Sequence, residues 1–522
     1  MSASAAATPP YIELHSHSGF SFLDGASHPE ELVFRALELG YPAMALTDHN
    51  GLYGSMEFAQ AARAEGLQPI TGAEVTVALD IPGIPVGLDG LDVADPDGDS
   101  MTRGCHMTLL AETPAGYANL CRLLSEAHGQ SERGRPTLPL SSLLARTEGL
   151  IALTGCRRGP LLATLEDSVA TAEFLARRLH DAFGFRRLFV ELQDNQAKGD
   201  GYRNRSLGRL ADRLGIPVVA TGNVHYHRPE RHRLQDVLVS IRNRTTLNGS
   251  HAQRRPNARF YLASPEEMAR RFEDRPDALA HTLEIAERCT AFDLTRDLGY
   301  TFPDFEGSER GGALDTLTAV CLAKLDERYS GSKLEDEARE RLHQELGLVD
   351  RHGLSGFFLV YRDIMELARD VAADIRGTAP RAHAGLPPGR GRGSSVSSII
   401  CYLIGLSHVD PVKTNLFLGR FLNEAMRSVP DIDLDFPRDI REELILRVYQ
   451  RYGSEHAGLV CTFPTYRLKS TLREIGKALD LPMGDLEKLS KLAERRSGGG
   501  LMEELERIPE FREKAGSPLW QA

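Results

Sequence analysis

The densest chemistry in this sequence lies in scattered histidines and carboxylates: His15-Ser16-His17, Asp48-His49, Glu74, His106, Cys156 and Asn223-Val224-His225. Imidazole, carboxylate and thiolate together suit Zn²⁺, Mn²⁺ or Fe²⁺, and a carboxylate can bridge neighbouring ions. Ions about 3.5–4 Å apart activate water and stabilise the leaving oxygen of a phosphoester. Each motif alone has an ordinary explanation. A lone HxH is a polar pair, Asp48-His49 a turn or helix cap, and Cys156 a small buried hydrophobe. What sets the group apart is recurrence, because each member stands at or just beyond the end of an apolar run.

A second constellation is Pro430-Asp431-Ile432-Asp433-Leu434-Asp435-Phe436. Alternation in a strand puts Ile432, Leu434 and Phe436 on one face and the three aspartates on the other. Carboxylates at i and i+2 lie roughly 7 Å apart, close enough to grip a shared Mg²⁺ pair. That is the arrangement of metal-assisted nucleotidyl transfer. A half-exposed strand with a charged face is the plain alternative, but clustered like charges repel. Upstream runs Gly389-Arg390-Gly391-Arg392-Gly393-Ser394-Ser395, followed by an apolar stretch at 399–406. Glycines let backbone approach a phosphate, and the following helix is expected to present free N–H groups to it. Arg390 and Arg392 add charge-assisted bonds. No Gly-Lys-Ser/Thr follows, so the loop is not of the Walker A kind.

The elements that must position these residues are legible from periodicity. Apolar runs at 11–15, 43–47, 70–77, 107–111, 150–154, 187–192 and 217–221 read as strands. Amphipathic stretches such as 29–39 and 55–65 separate several of them. Repeated strand-then-helix units predict parallel strands with right-handed crossovers, hence a closed or nearly closed β/α barrel. Functional residues then gather at the C-terminal strand ends. The segment 81–104 is a Gly/Asp/Pro-rich loop carrying Asp95, Asp97 and Asp99. It is not a calcium loop, since position six would be Ser100 and position twelve His106. Residues from about 230 to 350 read as mostly helical, 376–393 as a Pro/Gly/Arg loop, and the part after 436 as helical with a hinge at 497–500.

With 522 residues the chain exceeds one ordinary core, so several domains are expected. A formal charge of −11 argues against nonspecific coating of nucleic acid, although local basic strips can act inside an acidic whole. One such strip is 436–477, where eight Lys/Arg against five Asp/Glu give a local +3. The seven cysteines are scattered and without a CxxC pair, the pattern of a reducing compartment. No signal-peptide pattern and no long apolar span occur, which points to the cytoplasm and away from a membrane.

The runs LHSHSGFSFLDGAS, ALTDHNGLYG, ITGAEV, CHMTLLA, ALTGC and ATGNVHYH resemble the PHP domain at the N-terminus of bacterial C-family DNA polymerases. That resemblance implies a metal set of His15, His17, Asp24, His49, Glu74, His106, Cys156, Asn223 and His225, holding Zn, Mn or Fe ions. The family commonly has aspartate where this chain has Asn223; a neutral amide ligates more weakly and does not bridge ions as a carboxylate does. GRGRGSS, YLIGLSHVDP, LGRFLNE and PDIDLDF resemble the family's palm, of the polymerase β-like nucleotidyltransferase type. On this resemblance Gly393 and Ser394 hold the incoming deoxynucleoside triphosphate, with Arg392 and Arg420 assisting. Asp431 and Asp433 carry the two Mg²⁺ ions. The Pro/Gly-rich stretch before the loop, and Ser397 where many relatives have asparagine, are departures. TFPTYRLKSTLREIGKALDLP resembles the thumb, which assigns Arg467, Lys469, Arg473 and Lys477 to the DNA backbone with salt-dependent affinity.

The expected architecture is therefore α/β: a flexible N-terminus at 1–10 and a distorted PHP-type barrel at 11–230. A helical connector at 231–295, an α+β palm at 296–462 and part of a helical thumb at 463–522 complete it. In the family a third catalytic aspartate, the fingers, a clamp-binding segment and an OB-type domain follow. The expectation is that this chain is the front portion of a polymerase, replicative or error-prone, that does not synthesise DNA by itself. Primer–template DNA and deoxynucleoside triphosphates would be its substrates, with a sliding clamp or other replisome or translesion subunits reached through the later region. Two other readings stand beside it, a stand-alone PHP phosphoesterase or 3′–5′ exonuclease and a scaffold with both sites decayed. Asn223 weighs against the first of these, and the intact Asp431/Asp433 pair with Gly393-Ser394 weighs against the second.

Overall fold

The computed structural model describes residues 11–80, 104–299, 312–377, 388–426, 429–493, 509–515, 517 and 520. The acidic triplet at 95–99 and the hinge at 497–500 lie outside them. The chain divides into two compact units, Met1–Gly299 with Thr465–Ala522, and Tyr300–Pro464.

In the first unit the apolar runs become strands β1 (Ala43–Leu46), β2 (Gln68–Ala78) and β3 (Cys105–Ala111). Then follow β4 (Leu138–Pro139), β5 (Leu150–Leu153), β6 (Leu188–Gln193) and β7 (Val218–Thr221). The sheet order is β1-β2-β3-β5-β6-β7, with the short β4 on β2. The run at 11–15 forms bridges rather than a continuous strand. Glu13 pairs with Met44 and Ser16 with Val224, both parallel, so this segment joins the two ends of the sheet. Near-continuous apolar runs arise because both faces are covered. Ala43, Ala45, Ile70, Ile151, Phe189 and Val219 form the inner layer, together with Ile285, Ala286 and Cys289 at the end of helix Pro276–Arg288. Met44, Leu46, Val75, Leu109 and Val190 face the outer helices.

Local signals set the helix ends. Pro29–Glu38 starts with proline at its first position, where the missing N–H costs nothing. Pro114–Gln130 is capped by Thr113, whose side chain accepts from Gly116 N at 3.2 Å. Ser55–Glu65 stops at left-handed Gly66.

One expectation is corrected. The sheet is not all parallel, because β3 runs antiparallel to both β2 and β5. Antiparallel neighbours need no crossover helix between them, and periodicity does not encode strand direction. The reversal matters for the site. His106 stands at the start of β3, yet the reversed strand brings it opposite Thr76 and onto the rim where the other strands end. Helix Leu468–Ala478, assigned by the sequence to a thumb, clusters with this first unit. It packs on helix His232–Arg242, and Leu247 N donates to Ala478 O at 2.8 Å.

The second unit is α+β. Helices Ala313–Tyr329, Glu335–Arg351 and Ser355–Arg376 pack around the short helix Ile399–Leu403 through Leu317, Leu342, Phe358, Ile400 and Ile432. Its two-stranded sheet pairs β8 (Arg390–Arg392) with β9 (Asp433–Asp435), antiparallel. Among the described residues no helix is long and apolar enough to cross a membrane.

Candidate functional site

The nine residues singled out in the first unit converge. Glu74 is the hub: Oε1 lies 3.2 Å from His15 Nε2, while Oε2 lies 2.5 Å from His49 Nδ1, 3.2 Å from His106 Nδ1 and 3.9 Å from His17 Nε2. Asp24 Oδ2 lies 3.1 Å from His49 Nε2 and 3.0 Å from His225 Nε2. Cys156 Sγ is 3.7 Å from His106 Nδ1. Three overlapping triads bring their ligand atoms within 4.8 Å of one another: His15/His17/Glu74, His49/Glu74/His106 and His17/His49/His225. Asp24, His49, Glu74, His106, Cys156, Asn223 and His225 line one pocket, together with Arg158, Arg242 and Arg255.

Backbone geometry explains how such distant residues meet. Gly155 is left-handed, and a Cβ there would lie 1.8 Å from the His106 carbonyl oxygen. Only glycine allows the loop carrying Cys156 to press against His106. Asn223 is itself left-handed at φ 47°, a conformation that asparagine tolerates better than most residues. Asp48 serves the loop rather than the cluster. It accepts from Ser18 N, Ser18 Oγ and Ser21 Oγ, each at 2.7 Å, and so pins the turn that follows His17.

The electrostatics are those of a site built for cations. Burial alone would lower His15, but Glu191 and Glu74 raise it to about 10. His49, likewise opposed by burial, is raised to about 9 by Glu74 and Asp24. His17 is pushed well below the ordinary histidine range by burial and by His49 and His225; His225 falls to about 4 through burial and Arg255. Burial works against ionised Glu74 and Asp24, yet surrounding His and Arg charges hold both well below the carboxylate range.

A metal fits the donor set. His15 Nε2, His17 Nε2, His106 Nε2, both Glu74 oxygens and Asn223 Oδ1 are buried without a hydrogen-bond partner of proper geometry. Unsatisfied buried polar atoms are rare and costly, and a divalent ion satisfies a convergent set of lone pairs. When bound, such ions polarise phosphoester oxygens and acidify water.

Sequence reasoning missed four participants. Glu191, fully buried on β6, receives His15 Nδ1 at 2.6 Å and fixes which ring nitrogen faces the cluster. Arg158, Arg242 and Arg255 add positive charge to the pocket wall. No spacing rule would have found the arginines, which lie in ordinary-looking polar stretches. Glu191 carried a weak signal as an acidic residue inside an apolar run.

In the second unit the alternation holds. Asp431, Asp433 and Asp435 are exposed, Ile432 is buried, and Leu434 and Phe436 are half-buried. The register pairs Arg392 with Asp433 and Arg390 with Asp435. Arg392 Nε lies 3.3 Å from Asp435 Oδ1 and 3.8 Å from Asp433 Oδ2. Left-handed Gly393 faces the same carboxylate; a Cβ there would stand 3.9 Å from Asp433 Oδ2. The turn Leu418–Arg420 packs on the turn Gly393–Ser397, with Arg420 exposed. Arg467, Lys469, Arg473 and Lys477 are exposed on or beside helix Leu468–Ala478, which belongs to the first unit. One expectation fails here. The N–H groups opening helix Ile399–Leu403 are not free for a phosphate, because buried Glu345 accepts from Ile399 N at 2.9 Å and Ile400 N at 3.2 Å.

Residues 13–195 match the PHP domain family, and residues 315–517 match the family described as bacterial DNA polymerase III alpha NTPase domain. An error-prone DNA polymerase from Symbiobacterium thermophilum is 36% identical over 522 aligned positions, covering 96% of this chain and 44% of the relative. One from Cutibacterium acnes is 37% identical, covering 94% and 40%. The chain thus spans less than half the length of these curated relatives. Among solved structures, an amidohydrolase from Chromobacterium violaceum with bound sulfate gives a TM-score of 0.28 at 19% identity, covering 41% of this chain and 88% of its own. The chain thus carries a PHP domain match at 13–195 and, at 315–517, a region that matches the bacterial DNA polymerase III alpha family, in the same chain as in the error-prone polymerases it resembles.

Proposed function

We propose that this chain is the front part of an error-prone DNA-directed DNA polymerase whose PHP barrel carries a transition-metal centre. The carrying observation is the pairing of β8 with β9, which sets Gly393, Arg392 and the exposed aspartates side by side. In this reading Asp431 and Asp433 hold two Mg²⁺ ions, while Gly393, Ser394, Arg392 and Arg420 bind the triphosphate. Arg467, Lys469, Arg473 and Lys477 meet the backbone of a primer–template. On this reading the partners would be primer–template DNA, deoxynucleoside triphosphates and a sliding clamp or translesion subunit. The enzyme works in the cytoplasm, and Zn, Mn or Fe occupies the PHP centre. The domain assignment follows the same lines: barrel at 11–230, connector at 231–295, palm at 296–462 and thumb helices at 463–522.

The test is calorimetric. A deoxynucleoside triphosphate should bind the purified chain in the presence of Mg²⁺, and Asp431→Asn with Asp433→Asn should weaken that binding at least tenfold. Both aspartates are exposed, so the change should leave the melting temperature nearly untouched. Equal binding by the double variant would refute the palm assignment.

A second reading concerns the barrel alone, as a phosphoesterase or 3′–5′ exonuclease. It is favoured by the buried cluster opening into a pocket walled by Arg158, Arg242 and Arg255, cations suited to a phosphate. Mn²⁺-stimulated release of nucleotides from a DNA 3′ end should then disappear in His15→Ala/His17→Ala. Activity that survives this double change would come from elsewhere.

A further inference from the structure

The third triad differs from the other two in what surrounds it. Asp24 is ringed by cationic and donor groups: Arg255 Nη2 at 3.2 Å from Oδ2 and 3.4 Å from Oδ1, Arg242 Nη1 at 3.6 Å, and Gln235 Nε2 at 3.2 Å. The same Arg255 Nη2 touches His225 Nε2. A guanidinium has only donors, so His225 must offer the lone pair of Nε2 and carry its proton on Nδ1. That tautomer agrees with its other contact, in which Nδ1 donates to the Asn223 carbonyl oxygen at 2.9 Å. Arg255 is held in place by stacking on Phe260, with its guanidinium carbon 4.6 Å from the ring centroid, and its side chain is only 6% exposed. A lone pair given to a guanidinium is not available to a metal, and a carboxylate ringed by guanidinium groups already has its charge compensated.

We propose that Arg255, supported by Arg242, is a built-in cation that takes the place of an ion at the His17/His49/His225 triad, so that this chain would hold ions only at the two triads that contain Glu74. The inference rests on the reading of the cluster as a metal centre. Asn223 fits it independently. Asn223 lines the same pocket and, being an amide, adds no negative charge to balance a further dication there. The two remaining positions keep full donor sets, His15/His17/Glu74 and His49/Glu74/His106, with Cys156 beside the latter.

The experiment is metal analysis by plasma mass spectrometry of the full chain, saturated with Zn²⁺ or with Mn²⁺ and freed of excess ion. The wild-type chain should carry two ions. Asn223→Asp/Arg255→Gln should carry three, and further Zn²⁺ should raise its melting temperature where it does not raise that of the two-ion wild type. Asn223→Asp alone should stay at two, because the guanidinium remains. Three ions in the wild type, or two in a folded double variant, would overturn the proposal while leaving the metal centre standing. A chain that takes up no ion would overturn both. Should the double variant fail to fold, the wild-type count and the single variant still decide.

Discussion

Glu191 acts on the histidine–carboxylate cluster through one atom. Its Oε1 takes His15 Nδ1 at 2.6 Å and also accepts from Gln193 Nε2 at 2.8 Å, so the His15 ring is held with Nε2 toward Glu74. Carboxylates in this position orient the ring and raise ligand basicity, and their loss usually costs about 10–100-fold in metal affinity. Glu191→Gln should therefore weaken Zn²⁺ binding by about that factor in competition with a chromogenic chelator. Unchanged affinity would mean that His15 is oriented by packing alone. At this scale the sequence was informative where residue type carries the chemistry, as for His15, His17, Glu74 and His106. It was silent where a generic residue acquires a role from its surroundings. Arg255 lies in the stretch HAQRRPNARF with no spacing to distinguish it, and only the fold brings it to His225.

Among elements, the short helix Ile399–Leu403 depends on a distant cap. Glu345, fully buried on helix Glu335–Arg351, accepts from Ser398 Oγ at 2.7 Å and from the first two helix N–H groups. It thereby fixes the end of the turn Gly393–Ser397, which packs on β8. Glu345→Ala leaves three buried donors unpaired and should cost about 2–4 kcal/mol in urea unfolding of the chain. Burial raises the Glu345 carboxyl above its ordinary 4.5 despite those donors. The sign follows from linkage: the folded state takes up this proton more readily than the unfolded chain. Stability from this group is thus greatest below 4.5 and declines as pH rises through the raised value. Glu345→Gln should flatten that part of the stability–pH curve, and an unaltered curve would contradict the assignment. Element positions were legible because doubly buried strands read as continuous apolar runs, β2, β3 and β6 among them. The direction of β3 was not, since antiparallel and parallel strands share the same period of two. The cap was hidden because Glu345 looks like any acidic residue of a charged helix.

Across the whole molecule, the basic residues of helix Leu468–Ala478 belong to the compact unit that contains strands β1 to β7. Lys469, Arg473 and Lys477 recur every four residues and form one exposed stripe, with Lys477 paired to Glu474 at 2.8 Å. If this stripe meets DNA phosphates, Lys469→Glu/Arg473→Glu should weaken binding to a primer–template. It should also lower the slope of log affinity against log salt by about 2, read by fluorescence anisotropy at several salt concentrations. An unchanged slope would assign the stripe to solvent. On the proposed reading, the PHP region gathers its histidines and carboxylates around bound metal. Anomalous diffraction from crystals of the full chain, collected on both sides of a transition-metal absorption edge, tests it most directly. Peaks are expected beside Glu74, within bonding distance of His15 and His17 on one side and of His49 and His106 on the other. A well-ordered cluster with no anomalous peak, in crystals grown with Zn²⁺ or Mn²⁺, would contradict it.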